Sequence, residues 1–213
     1  MYSQNNEEQI IKDYFFKETM PLNSSFSVMD LGANDGETLS NSRGILEHFY
    51  NVGIQTYAVL VEPSPIANLR LCRLYKHRSE IYCFEKAIGS KNGKVILHDS
   101  GTHLNQGDTS LVSTIKPEEK SRWVNEKFSE VEVDCVTFET LLGLCPIKKF
   151  DFITLDIEGL DLEVLAQMDL KALGCRCICV EYNGKDEDKF DALITRYGLK
   201  QIHKNAENLI YAL

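Results

Sequence analysis

The feature that most restricts the fold is an alternation. Apolar runs of strand length recur along the chain, and segments with helical spacing of apolar residues separate most of them. FSVMDLG, QTYAVLVEP, IYCFEKAIG, FDFITLDIEG and CRCICVEYNG read as strands. Helices are expected over 6–17, over 37–50 with Ile45, Leu46 and Phe49 on one stripe, from Pro65 towards Tyr75 with Ser64 as N-cap, over 159–168, and over 186–197. Alternation of this kind builds a parallel sheet with helices on both faces, joined by right-handed crossovers. QTYAVLVEP is apolar almost throughout, as expected of a strand covered on both sides. The final runs, LKQIH and NLIYAL, are separated only by residues 204–207, too few for a crossover, so they should form an antiparallel hairpin. The expected fold class is α/β, a doubly wound, mostly parallel, Rossmann-like seven-stranded sheet with a C-terminal antiparallel hairpin.

The 213 residues suit one domain over 1–213, with a helical extension at 1–25. Between IYCFEKAIG and FDFITLDIEG the rhythm weakens. Asn92-Gly93 is a tight-turn signal, VEVDCV a short strand and TFETLLGLC a short helix. Residues 99–130 are the least regular part, with a helix expected around Trp123, and an insert of that length usually faces substrate.

In open sheets of this class, ligands collect beyond the carboxyl ends of the strands, where strand order reverses. Three loops should meet there. The first offers Asp30, Gly32, Ala33, Asn34, Asp35, Gly36 and Thr38; the second Glu62, Pro63 and Ser64; the third Lys86 and Ala87, after Glu85. A dinucleotide fingerprint fails because Asn34 stands where a second glycine should admit a pyrophosphate, and no Gly-Lys-Ser/Thr follows to make a P-loop. The loops are acidic, and carboxylates repel phosphate. A cofactor with a cationic amino group, a cationic sulfonium and no phosphate fits, and S-adenosylmethionine is such a molecule. Glu62 would then accept hydrogen bonds from the ribose hydroxyls.

Longer segments carry a resemblance. VMDLGANDGETLS resembles the first motif of the FkbM family of class I S-adenosylmethionine-dependent methyltransferases, VEPSP its second, and FDFITLDIEGLDLEVLAQM its D-x-E-G segment with the following helix. EKAIGSKNG is similar to the family's third-strand exit and GDTSL to a Ser-Leu motif before its substrate region, so the likeness runs over residues 26–183. The third loop carries more charge here than is usual in the family, and its second acid corresponds to Asp161. The resemblance implies methyl transfer to oxygen, commonly a hydroxyl of a sugar or small metabolite, and cofactor roles for Asp30, Gly32, Asn34, Asp35, Gly36, Glu62 and Ser64.

Methyl transfer to an alcohol needs the nucleophile aligned and its proton accepted. Asp156 closes the fourth strand and should point into the pocket, to hold the cofactor's amino group or act as base, with Glu158 sharing the task. Glu181, at the end of the neighbouring strand, is the third catalytic candidate. Asp156, Glu181 and Asn183 also form a set of hard oxygens suited to Mg2+. His98, His103 and His203 are alternative bases. A rival reading is a non-catalytic interaction module that keeps the fold and docks an anionic partner through Arg70, Arg73, Lys76, His77 and Arg78; a nicotinamide oxidoreductase ranks below both.

Net charge of −9 argues against a nucleic-acid partner. So does the absence of an Asp/Asn-Pro-Pro-aromatic segment after the fourth strand and of a Lys-Asp-Lys-Glu tetrad. A second basic group, Lys116, Lys120, Arg122 and Lys127, reads as a solvated helix face. Seven cysteines, odd in number and irregularly spaced, indicate thiols in a reducing compartment. Cys175, Cys177 and Cys179 should line one face of a strand as core residues. The N-terminus lacks the basic start and apolar stretch of a signal peptide, and no run is long enough to span a membrane, so the expectation is a cytoplasmic protein acting on a small-molecule or carbohydrate acceptor.

Overall fold

A computed structural model describes residues 2–16, 24–100 and 110–213. Helix α1 (Glu7–Phe16) leads into β1 (Ser25–Leu31), α2 (Arg43–Asn51), β2 (Gln55–Val61), α3 (Pro65–Leu74) and β3 (Ile81–Phe84). A smaller region follows, with β4 (Ala87–Ile88), β5 (Gly93–Ser100), a 3-10 turn at Pro117–Arg122, and β6 (Phe128–Val136). The main sheet resumes after α4 (Phe138–Leu144) with β7 (Phe152–Leu155), α5 (Asp161–Leu165), β8 (Cys177–Glu181), α6 (Glu187–Thr195), β9 (Lys200–Lys204) and β10 (Asn208–Ala212). Its seven strands run in the order β3-β2-β1-β7-β8-β10-β9. The β1, β2, β3, β7 and β8 pairings are parallel, and β10 is antiparallel to both β8 and β9. The doubly wound sheet with its C-terminal hairpin is thus as expected. Among the described residues no helix is long and apolar enough to cross a membrane.

Side chains alternate across the sheet into two cores. Met29 and Leu31 of β1 join Ile153, Leu155, Ile178 and Val180 under α4, α5 and α6. Phe26 and Val28 face the other way, with Phe152, Cys177 and Cys179, under α1, α2 and α3. There Phe26 stacks on Phe49 with ring centroids 4.0 Å apart, and Phe15 meets Phe26 edge-on at 4.9 Å. Burying each such ring contributes about 1.5–3 kcal/mol, which ties α1 to the first βα unit. Helix α3 begins as its sequence indicates: Pro65 occupies the first turn, and the Ser64 hydroxyl accepts from Ala67 N at 3.4 Å.

Several local expectations need correction. Helix α2 starts at Arg43, not Glu37, because the Asp35 carboxylate accepts from Glu37 N, Thr38 N and Thr38 Oγ1 at 2.7–2.8 Å and holds these residues in a turn. Leu39 then takes a left-handed φ of 53° and bridges Ser3. The Asn92-Gly93 turn does not join paired strands, since β6 lies between β4 and β5 in a separate three-stranded sheet. Asn92 Oδ1 accepts from Thr137 N instead. The segment around Trp123 is a 3-10 turn, and the helix after the fourth core strand is confined to α5. Residues 99–100 and 128–130 belong to β5 and β6, while most of GDTSL lies outside the described residues. Of the three clustered cysteines, Cys177 and Cys179 share a core and Cys175, preceding the strand, enters the other.

The loops that leave β1 and β7 approach closely at Gly32. Its φ is +95°, and a Cβ there would stand 1.7 Å from the Asp156 carbonyl oxygen. Asp156 N donates to Leu31 O at 2.9 Å, fixing the contact. Gly32→Ala therefore forces the carbonyl away and strains the backbone. A loss of at least about 3 kcal/mol is expected, read as a lower denaturation midpoint; an unchanged midpoint would contradict the geometry.

Candidate active site

A cavity of about 300 Å³ opens at the carboxyl ends of β1, β2, β7 and β8. Its wall on the β1 side comes from the loop after Leu31. Gly32 N and Ala33 N donate to Val61 O at 2.9 and 3.0 Å, which draws the loop across β2. Asn34, in the left-handed region at φ 46°, donates its N–H to Glu62 Oε2 at 2.9 Å. Ser64 N donates to Glu62 Oε1 at 2.8 Å, so one buried carboxylate braces two loops. Asn34 Nδ2 and Oδ1 are buried without a hydrogen-bond partner among the described residues, on a residue that lines the cavity. Buried amides are normally satisfied, so this pair is suited to a polar ligand.

The far wall is acidic. Asp156 follows β7, and Glu158 sits at φ 51° in the turn Ile157–Leu160. Asp161 accepts from Ile157 N at 2.9 Å and Gly159 N at 3.1 Å, and so holds that turn from beneath. Thr114 Oγ1 donates to Glu158 O and Lys116 Nζ to Gly159 O, at 2.8 and 2.7 Å. Arg122 reaches the same turn, with Nη1 3.6 Å from Glu158 Oε2 and 3.3 Å from Glu119 Oε2. The second basic group is thus not a solvated face: three of its members, Lys116, Lys120 and Arg122, bond to other parts of the fold, and two of these clamp the D-x-E-G turn. One carboxylate oxygen each from Asp156, Glu158 and Glu181 lie within 4.8 Å of one another. Asp156 and Glu181 of the oxygen set expected for Mg2+ are thus close together, Glu158 joins them, and Asn183 lines the same cavity.

Burial dominates the ionisation of these acids. It pushes Asp30 up to about 6 even though Ser42 Oγ donates to it at 2.6 Å. Glu62 rises to about 8 because burial, reinforced by Asp99 and Asp30, outweighs its two backbone bonds. Asp156 rises to about 7, and Asp161 and Glu181 to about 8, from burial and then from one another's charge. Glu158 is raised well above the carboxylate range by burial and by Glu181. Two cations line the cavity, Lys86 and Arg122, and Lys86 is already paired with Asp134 at 2.7 Å.

Most of the expected site residues meet here. Asp30, Gly32, Ala33, Asn34, Thr38, Glu62, Pro63, Lys86, Ala87, Asp156, Glu158, Glu181 and Asn183 all line the cavity. Asp35, Gly36 and Ser64 do not. Asp35 caps the Glu37–Thr38 turn, Gly36 lies where a Cβ would strike Leu71 of α3, and Ser64 is fully buried against Asp99 and Ser110. His98 is buried on β5 beside Lys120, and His203 lies on β9, both outside the lining; His103 is outside the described residues. Arg70, Arg73, Lys76 and His77 are exposed along and beyond α3, and Arg78 stacks on Tyr50 at 3.9 Å and donates to Thr56. Sequence reasoning missed Gln4, Ser40, Asn41, Trp123 and Asn208, of which only Ser40 lies in a motif, as the last residue of VMDLGANDGETLS.

The family described as Methyltransferase FkbM domain matches residues 30–201. No curated protein sequence matches the chain. Among solved structures, monomeric WbdD aligns with a TM-score of 0.50 at 10% identity, over 98% of this chain and 41% of its own. Fibrillarin from Aeropyrum pernix, in complex with natively bound S-adenosyl-L-methionine, aligns at 0.47 and 11%, over 99% and 80%. Ribosomal protein L11 methylase from Lactobacillus delbrueckii subsp. bulgaricus gives 0.44 and 10%, over 98% and 78%. At these identities the likeness is one of fold.

The acids of the site, all but Asp156 buried from solvent, set a pH dependence. Asp30, Glu62, Asp156, Glu158, Asp161 and Glu181 all bind protons more tightly folded than unfolded, where carboxylates titrate near about 4. Between about pH 4 and 8 the folded chain therefore holds more protons, and stability must fall as pH rises. The melting temperature of the free protein should decline across about pH 5–8, and Glu181→Gln should flatten the decline. A melting temperature that climbs over this window in the wild type would refute the assignment.

Proposed function

The chain belongs to the FkbM methyltransferase family, and on that premise we propose that it is an S-adenosylmethionine-dependent O-methyltransferase acting on a hydroxyl of a sugar or small metabolite. The observation that carries the donor assignment is the Glu62 carboxylate, buried at the floor of the cavity beside the unsatisfied amide of Asn34. A diol can donate to the remaining lone pairs of Glu62, whereas a phosphate would meet Asp30, Glu62 and Asp156 with no free cation near them. When bound, S-adenosylmethionine supplies an activated methyl group on a sulfonium. Asn34 and Glu62 would hold its nucleoside, with Pro63, Lys86 and Ala87 walling the base, while Asp30 and Asp156 favour the cationic end.

The acceptor must then approach from the side of Glu158, Glu181 and the segment Ser110–Trp123. That wall mixes Leu97, Val112, Ile115, Trp123 and Leu160 with carboxylates, and the cavity is at the small-molecule end of the usual range. An acidic rim also disfavours a phosphate-bearing acceptor such as nucleic acid. Of the three acids, Glu158 is kept protonated by burial and by Glu181 in spite of Arg122 3.6 Å away, which leaves it unable to accept a proton, and Asp156 is tied to the donor loop through the Asp156 N to Leu31 O bond. Glu181 is left to take the acceptor's proton. Its value of about 8 puts it close to working pH, where a general base is most effective.

Three measurements test this reading. Calorimetry should show S-adenosylhomocysteine binding to the wild type, and the absence of any binding would end the proposal. Glu181→Gln should lower turnover by about 10²–10⁴-fold while leaving that affinity nearly unchanged. A non-catalytic module would show no turnover to lose. Turnover by a Glu181 base should also survive EDTA; loss that Mg2+ restores would assign the three oxygens to an ion instead.

A further inference from the structure

The segment before α1 lies outside the family domain, which begins at residue 30, yet it reaches the cavity. Residues 2–6 form a strap tied down on both sides. Ser3 bridges Leu39 of the first loop, the Tyr2 hydroxyl bonds Glu47 of α2 at 3.1 Å, and Asn5 Nδ2 donates to Glu207 Oε2 at 2.8 Å. Its end is anchored by Glu7, fully buried at the start of α1, which accepts from Asn5 N, Asn205 Nδ2 and Asn208 Nδ2 at 2.7–3.0 Å. Between these ties Gln4 lines the cavity, and its side-chain amide makes no hydrogen bond to any described residue.

The position of Gln4 fixes which part of a ligand it meets. If Glu62 takes the ribose and the third loop the base, the donor runs along the strand ends from β3 through β2 to β1 and β7. Its amino-acid end then lies under the strap. That end bears a carboxylate, and around it stand Asp30, Asp156 and Glu207. Lys86 and Arg122 stand by the third loop and the D-x-E-G turn, each paired with an acid. A carboxylate in such a place must be held by neutral donors. Asn41 has its amide N–H turned to Cys179 Sγ at 3.9 Å, a weak bond, and Gln4 has its amide unengaged.

We propose that Gln4 is a donor-binding residue that hydrogen-bonds the α-carboxylate of the methyl donor and of its demethylated product, making the N-terminal strap a wall of the donor site. The inference rests on the donor reading above. Gln4 is exposed, so its truncation leaves the packing intact. The test compares two ligands by calorimetry on the full chain: S-adenosylhomocysteine, and 5′-methylthioadenosine, which keeps the nucleoside and lacks the amino-acid end. Gln4→Ala should weaken S-adenosylhomocysteine by about tenfold, the size of one hydrogen bond to a charged group, and leave 5′-methylthioadenosine unchanged. Equal weakening of both ligands, or a change below about twofold for the first, overturns the role of Gln4. Failure of the wild type to bind either ligand would instead strike the donor reading itself.

Discussion

The site depends on one close approach, that of Gly32 to the carbonyl of Asp156. Because Gly32 has no side chain, the loops after β1 and β7 touch instead of diverging, and the sheet can place Asp30, Asn34 and Asp156 around one space. The contact also sets the left-handed geometry downstream. Gly32, Asn34 and Gly36 all adopt positive φ, so the loop folds back over Val61 O rather than running straight into α2. Glycine loops of this kind are often read as phosphate cradles. Here the turn delivers an amide and a carboxylate brace instead.

A second constraint is how the acids are kept buried. A carboxylate removed from water without a partner costs several kcal/mol unless it takes up a proton. Glu62 and Asp161 are held by backbone N–H groups from adjoining loops, so their burial also fixes loop geometry. Glu158 and Glu181 lack such braces and share a single guanidinium, Arg122, delivered by the 3-10 turn Pro117–Arg122. Acids braced by backbone N–H groups and acids without such braces therefore sit close together and differ in what satisfies them. Asp161 belongs to the first kind although its raised pKa resembles that of Glu181.

Much of the fold was legible because it follows from patterns that the chain repeats. Strands apolar on both faces, Ser64-Pro65 at a helix start, and two strands too close for a crossover each dictate a local geometry with few alternatives. The small sheet was less legible, since Asn92-Gly93 specifies a turn but not which strand lies beside it; that is decided by the long β5–β6 pairing. The loop residues of the site divide in the same way. Asn34 and Glu62 were readable as cavity residues, but nothing local distinguishes Asp35 and Ser64, which have the same chemistry and spend it on capping backbone N–H groups. Gln4 and Asn208 had no signal at all, because their place at the cavity comes from tertiary packing around Glu7.

That packing bears on how such a domain varies. Residues 30–201 hold β2, β3, β7 and β8, the loop after β1 and the acidic wall, and those parts are bound to one another by strand pairing and backbone bonds. The strap and the β9–β10 turn are joined only through side chains, chiefly Glu7 to Asn205 and Asn208 and Asn5 to Glu207. Side-chain ties of this kind can be rewired without disturbing the sheet. Loop residues on a rigid scaffold are where recognition is usually altered. The asymmetry leaves the strap and the β9–β10 turn freer to change than the contact between β1 and β7 on which the cavity is built.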